Sequence, residues 1–175
     1  MNPLHKYDIP FVGLKQGEHR FTYTVKGDFY ELFEASPVQQ SNIVVDLDFD
    51  KKSNFFQLRF YVDGTVQTDC DRCAESFDLP IEGTYDMIVK FNDALVETNE
   101  FEEEIMYLSY NDTHLNVAKL IYEFIILSMP MQKTHPDDED GNPGCELLWN
   151  NDDNDSSDDK DNDPRWDALK NLKNN

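Results

Sequence analysis

Between Ile43 and Asp50 the chain alternates, broken only at Val44: Ile43, Val45, Leu47 and Phe49 are apolar, and Asp46, Asp48 and Asp50 stand opposite them. A helix, with 3.6 residues per turn, scatters such a pattern around its axis. A strand, with a period of two, puts those four apolar side chains on one side and every carboxylate on the other. The chain must therefore build a sheet with one dry face and one wet face. Its neighbours agree. Arg20 to Val25 places Phe21, Tyr23 and Val25 on one face. Phe56 to Tyr61 and Thr65 to Thr68 read as strands on either side of a turn at Asp63-Gly64. Ser76 to Phe91 resumes the extended pattern, with kinks expected at Pro80 and Gly83. Residues 40–91 are thus predicted to form an antiparallel meander.

Two stretches read as helical in this region and beyond it. Asp28 to Ala35 has Phe29, Leu32 and Phe33 at helical spacing and is stopped by Ser36-Pro37. Asn92 to Glu104 is a polar, acidic connection, and Ile105 to Ser109 a short strand. The strongest helix runs from His114 to Met129, with Asn111-Asp112-Thr113 as its cap and Pro130 as its stop. Asn116, Lys119 and Glu123 make one narrow polar stripe, so the helix is expected to lie across the sheet, packed on most sides. The fold class is α+β: an antiparallel β-sheet meander packed by one apolar helix.

Charge divides the remainder. The chain carries 15 Lys and Arg against 36 Asp and Glu, a net −21 over 175 residues. Asp137 to Asp163 alone holds twelve acids and one Lys, and this acidic stretch is expected to be mobile. After it, Asp163-Pro164 starts a short helix with Trp166, Leu169 and Leu172 on one face. The predicted organisation is an α+β domain over 1–136, an acidic segment over 137–163 and a C-terminal docking helix over 164–175. Such acidity argues against gripping nucleic acid through its phosphates, which needs clustered Lys and Arg. It fits a basic protein partner instead, with Lys51, Lys52 and Arg59 the few cations placed for a local RNA contact.

Met1 to Leu14 has no continuous apolar run of the secretory kind, and no stretch reaches the roughly 18 apolar residues that span a bilayer. Three cysteines, an odd number, are then expected to be reduced thiols in the cytoplasm. Cys70 and Cys73, three apart between two strands, can hold one ion in a tight turn, and His135 and Cys145 can complete a tetrahedral set. Four protein ligands with no open position would make a structural zinc site that staples the acidic segment to the sheet. The other reading leaves Cys70 and Cys73 as thiols in a turn, Cys145 in a loop and His135 on the surface.

In order and spacing, Cys70-x-x-Cys73 with Glu75-x-Phe77 after a strand, and Glu123-x-x-x-Leu127-x-x-Pro130 closing an apolar helix, form a pattern. It continues through His135, Cys145 and Asp163-Pro164-Arg165-Trp166-x-x-Leu169. The pattern resembles the YceD-like family of bacterial and plastid proteins, linked to accumulation of large-subunit ribosomal RNA. The likeness covers most of the chain from residue 65 on. It implies a cytoplasmic, non-catalytic factor in large ribosomal subunit biogenesis. Its partners would be the pre-ribosomal large subunit and a basic ribosomal protein or assembly factor. No membrane or small-molecule substrate is implied.

The enzyme alternative is a small thiol-dependent redox protein or a metal-dependent one. Redox Cys-x-x-Cys chemistry uses a thiolate at a helix N-terminus, whereas this pair stands between strands with Asp69 and Asp71 beside it. The carboxylates of 137–163 lack the twelfth-position Glu of an EF-hand loop. No Gly-rich phosphate loop is present, and no Ser/His/Asp grouping has a recognisable context.

Overall fold

In a computed structural model, residues 3–93, 104–137 and 139–146 are described. A short 3-10 turn over Pro3–Tyr7 leads into β1 (Asp8–Ile9), and a second 3-10 turn covers Phe11–Gly13. Then come β2 (Gly17–Val25), α1 (Gly27–Tyr30), β3 (Ser41–Lys51), β4 (Phe55–Asp69) and β5 (Ser76–Phe91). β6 (Ile105–Leu108), β7 (Leu115–Asn116) and α2 (Ala118–Ser128) follow. Five strands form one sheet in the order β2-β3-β4-β5-β6, while β1 and β7 pair as a second, two-stranded sheet.

The alternation settles the faces as expected. Ile43, Val45, Leu47 and Phe49 of β3 are fully buried, as are Leu58 and Phe60 of β4. α2 packs on this dry face over β4 and β5. There Phe124 sits 5.0 Å from the Phe60 ring and 4.5 Å from Tyr85, parallel to it within 2°. On the wet face, carboxylates of one strand meet arginines of the next. Arg20 donates twice to Asp48 (2.7 and 3.0 Å), and Arg59 donates twice to Asp86 (2.6 and 3.0 Å). The register places each pair directly opposite, where cross-strand charges attract most.

Several expectations are corrected. Asp63-Gly64 is no turn: β4 runs straight through it, paired with β3 on one side and β5 on the other. Gly64 lies opposite Ile43 at φ +148°, and a Cβ there would run into the backbone carbonyl of Asn42. The glycine serves close approach of two backbones rather than reversal. β5 likewise continues past Pro80 and Gly83 in unbroken register with β4. Proline is tolerated because β6 reaches only Ile88–Phe91, which leaves β5 an edge strand at residue 80. The sheet is mixed, since β6 joins β5 in parallel. Of Asp28–Ala35 only the first turn is helical, in α1; one turn adds too few hydrogen bonds to propagate.

α2 also starts later than its apolar pattern suggested. Leu115 and Asn116 are taken by β7, paired with Ile9 and Asp8. Asn116 fastens this junction. Its Nδ2 donates to the Leu4 carbonyl (2.9 Å) and to Asp8 (2.6 Å), and its Oδ1 accepts from the Ala118 N–H (3.1 Å). The expected cap, Asp112, instead accepts from the Ser109 N–H and closes its own turn. The far side of α2 is less covered than expected, with Leu127 67% exposed. Of the acidic segment, residues 137 and 139–146 are described; the helix expected over 164–175 lies outside the described residues.

Candidate metal centre

β4 ends at Asp69 and β5 begins at Ser76, so the Cys70–Glu75 connection forms the tip of a long hairpin. The tip is a tight knuckle. Cys70 N–H donates to the Glu75 carbonyl and Ala74 N–H to the Cys70 carbonyl, both at 2.9 Å. Ala74 takes the left-handed conformation, φ 55°, that this reversal needs. The Arg72 N–H points at Cys70 Sγ from 3.4 Å. Folded this way, the two residues between the cysteines leave both sulfurs on one side.

The segment after α2 returns to the knuckle and brings the other two candidates with it. Asp71 N–H donates to the Lys133 carbonyl, and the Lys133 N–H donates back to the Asp71 carboxylate, each at 2.7 Å. Two residues on, the His135 ring lies against Phe77 of β5, centroids 4.5 Å apart. The chain then doubles back so that Gly144 rests on Pro136. A Cβ at Gly144 would run into the Pro136 carbonyl oxygen, so glycine is what lets Cys145 reach the cluster.

All four predicted ligands are brought together. One donor atom from each of Cys70, Cys73, His135 and Cys145 lies within 4.8 Å of the others, and these residues can hold a metal ion. Cys70 Sγ is 3.7 Å from Cys145 Sγ, and Cys73 Sγ is 3.6 Å from His135 Nδ1. A tetrahedron with bonds of about 2.3 Å to sulfur and about 2.0 Å to nitrogen has edges of about 3.8 Å and about 3.5 Å. Those two spacings are the ones expected of ligands around a common centre. Cys145 therefore does not lie apart in a loop, nor His135 apart on the surface.

The electrostatics fit a cation as well. Burial pushes the Cys70 thiol up, but N–H groups of Cys73, Arg72 and His135, with the His135 side chain, pull it down to about 6. Cys145 is pushed up to about 11, first by burial and then by the neighbouring sulfurs of Cys70 and Cys73. Sulfurs this close resist joint ionisation, and a dication among them removes the conflict.

Reasoning from sequence named the four clustered residues and missed what positions them: Asp71 with Lys133, the Phe77 ring and Gly144. Of these only Gly144, adjacent to a candidate ligand, left a readable signal. The three cations named for an RNA contact each have partners within the protein, Lys52 and Arg59 in exposed ion pairs. Lys51 Nζ donates to the Phe11 and Leu14 carbonyls at 2.8 Å, Lys52 pairs with Asp50, and Arg59 with Asp86. Surface depressions of about 420, 540 and 590 Å³ are lined by other residues than the cysteines and His135.

The family model described as "Large ribosomal RNA subunit accumulation protein YceD" matches residues 58–173, about two thirds of the chain. The chain belongs to the YceD family. The match begins within β4 and takes in the knuckle, α2 and all four clustered ligands. The YceD name implies a role in accumulation of large-subunit ribosomal RNA. No curated protein and no solved structure matches the chain. Among the described residues, no helix is long and apolar enough to cross a membrane.

Proposed function

We propose that this YceD-family protein is a non-catalytic factor of large ribosomal subunit biogenesis, acting in the cytoplasm through protein contacts. Family membership carries the ribosomal part of this reading. The net charge of −21 supports a basic ribosomal protein or assembly factor as the direct partner. Opposite charge speeds encounter and selects against acidic competitors. The excess of 36 Asp and Glu over 15 Lys and Arg supports protein contact over a direct grip on RNA.

Zinc is the ion that suits the cluster. Three sulfurs and one imidazole nitrogen within 4.8 Å of one another would form a closed donor set, which serves architecture instead of turnover. Cys70, Cys73, His135 and Cys145 would hold it, and its chemistry would be to fasten residues 133–146 to the hairpin tip.

The thiol-enzyme reading draws on one observation, the lowered Cys70 thiol. Cys70 is buried, however, and it stands at the end of a strand rather than at a helix N-terminus.

The test is sedimentation of lysate with and without the protein. The expected result is co-migration with large-subunit precursors, and a fall in large-subunit relative to small-subunit ribosomal RNA on depletion. Unchanged ribosomal RNA together with thiol turnover abolished by Cys70→Ser would replace this reading with the enzyme.

A further inference from the structure

The sheet covers one side of α2, and the other carries half-buried Tyr122 and Ile126 beside exposed Leu127. Tyr122, Glu123, Ile126 and Leu127 line a shallow depression of about 320 Å³ there. Its shape is fixed by a ring pair, Tyr122 stacked on Phe33 at 4.1 Å and within 10° of parallel. An apolar strip held this rigidly on a strongly charged protein is suited to receive a second apolar face.

We propose that the strip is the seat of the chain's own C-terminal segment, 164–172, with Trp166, Leu169 and Leu172 as the docking face. These three recur at helical spacing behind the Asp163-Pro164 start, so a helix places them on one side.

Reach is the first argument. Leu127 precedes His135 by eight residues, and His135 and Cys145 donate into the same cluster. Strip and cluster are therefore at most about 29 Å apart, at about 3.6 Å per residue. Cys145 and Trp166 are 21 residues apart. Twenty-one residues can extend to about 70 Å, so the segment can reach the strip from the cluster. A tethered segment meets the strip at an effective concentration that a free partner lacks.

Charge is the second. Residues 164–175 carry Arg165, Lys170 and Lys173 against Asp167, in a chain that is otherwise acidic. Exposed Glu31 and Glu34 stand beside Phe33 in the chain, and Glu123, already 3.6 Å from Lys119, adds a third carboxylate. The third is the extent of the family pattern, which runs to residue 173 and so includes this segment. A tail serving only solubility would need no apolar face.

Methyl NMR on the full chain tests the docking, using Trp166→Ala and, with the indole retained, Leu169→Glu. Both changes lie outside the described body, and the Val45 and Leu47 methyls report that it stays folded. The expected result is that Ile126 and Leu127 methyl resonances shift with either variant, while the wild-type positions hold on tenfold dilution. Methyls that ignore both variants overturn the proposal. Wild-type shifts that fade on dilution also overturn it, in favour of a second copy on the strip.

Discussion

Asp71 and Lys133, 62 residues apart, hold each other by a reciprocal pair of hydrogen bonds, each 2.7 Å long. One bond uses the Asp71 backbone N–H and the other its carboxylate. Substitution can therefore remove one and keep the other. Asp71→Ala is expected to free the segment carrying His135 and Cys145 and to speed zinc release at least tenfold. Asp71→Asn, whose side-chain oxygen still accepts, should stay close to wild type. Zinc transfer to a colorimetric chelator measures both rates, and equal rates for Ala and Asn would remove the clamp from the account.

One zinc per chain is expected by elemental analysis of the purified protein. If the ion is present at about 100 times its dissociation constant, it adds about 2.7 kcal/mol. Stripping it should then lower Tm by about 5–11 °C for a domain of this size. Gly144→Ala should reduce zinc content in the same way as Cys145→Ser, although alanine removes no ligand, because its Cβ meets the Pro136 carbonyl. A chain that purifies metal-free with an unchanged Tm would refute the structural ion.

Phe124→Ala should cost about 3–5 kcal/mol, the range for emptying an aromatic site in a packed core. The ring is buried against Phe60 and Tyr85, so no neighbour is free to fill the space. Urea denaturation measures this. A loss below 1 kcal/mol would mean that α2 is not fastened to the sheet as described.

Acid should weaken the wet face in a defined direction. Hydrogen bonds from Arg59 hold the Asp86 carboxyl below its ordinary 3.8, and those from Arg20 do the same for Asp48. A depressed carboxyl contributes stability above its unfolded value and loses it as pH falls through its folded value. The contribution is thus present above the ordinary value of 3.8 and declines progressively as pH falls from there through the lower folded value. Both pairs are exposed, which keeps the effect small and sensitive to salt. Asp86→Asn should flatten the fall of Tm between pH 4 and pH 2.5; an acid limb as steep as wild type would contradict the assignment.

Association with a basic partner should be fast at low salt and slow as salt rises. Deleting 137–163 would remove Cys145 together with the charge, so the informative change neutralises only the acids of 152–163. The on-rate measured by stopped flow is expected to fall several-fold in low salt and to converge with wild type at high salt. An unchanged on-rate would give the acidic stretch another purpose.

Much of this architecture was legible, and the exceptions share a cause. The faces of β3 followed from Ile43 to Asp50 because a period of two leaves no choice. Asp63-Gly64 looked like a turn because that dipeptide usually is one, and only the neighbouring strand shows why the glycine is there. The start of α2 was misplaced because Leu115 and Asn116 answer to Ile9 and Asp8, more than a hundred residues away. The four ligands could be named from their side-chain chemistry. Their alignment by Asp71 could not, since its partner at Lys133 is a backbone group that any residue supplies.

The family likeness begins at residue 58, inside β4, yet β2 and β3 precede it and supply two of the five strands. A fragment cut at the edge of the likeness would strip β4 of its β3 partner from Leu58 to Val66 and leave it paired with β5 alone. Where recognisable pattern starts and where a cooperative unit starts are separate matters. Anyone trimming this molecule for expression should retain its least familiar third.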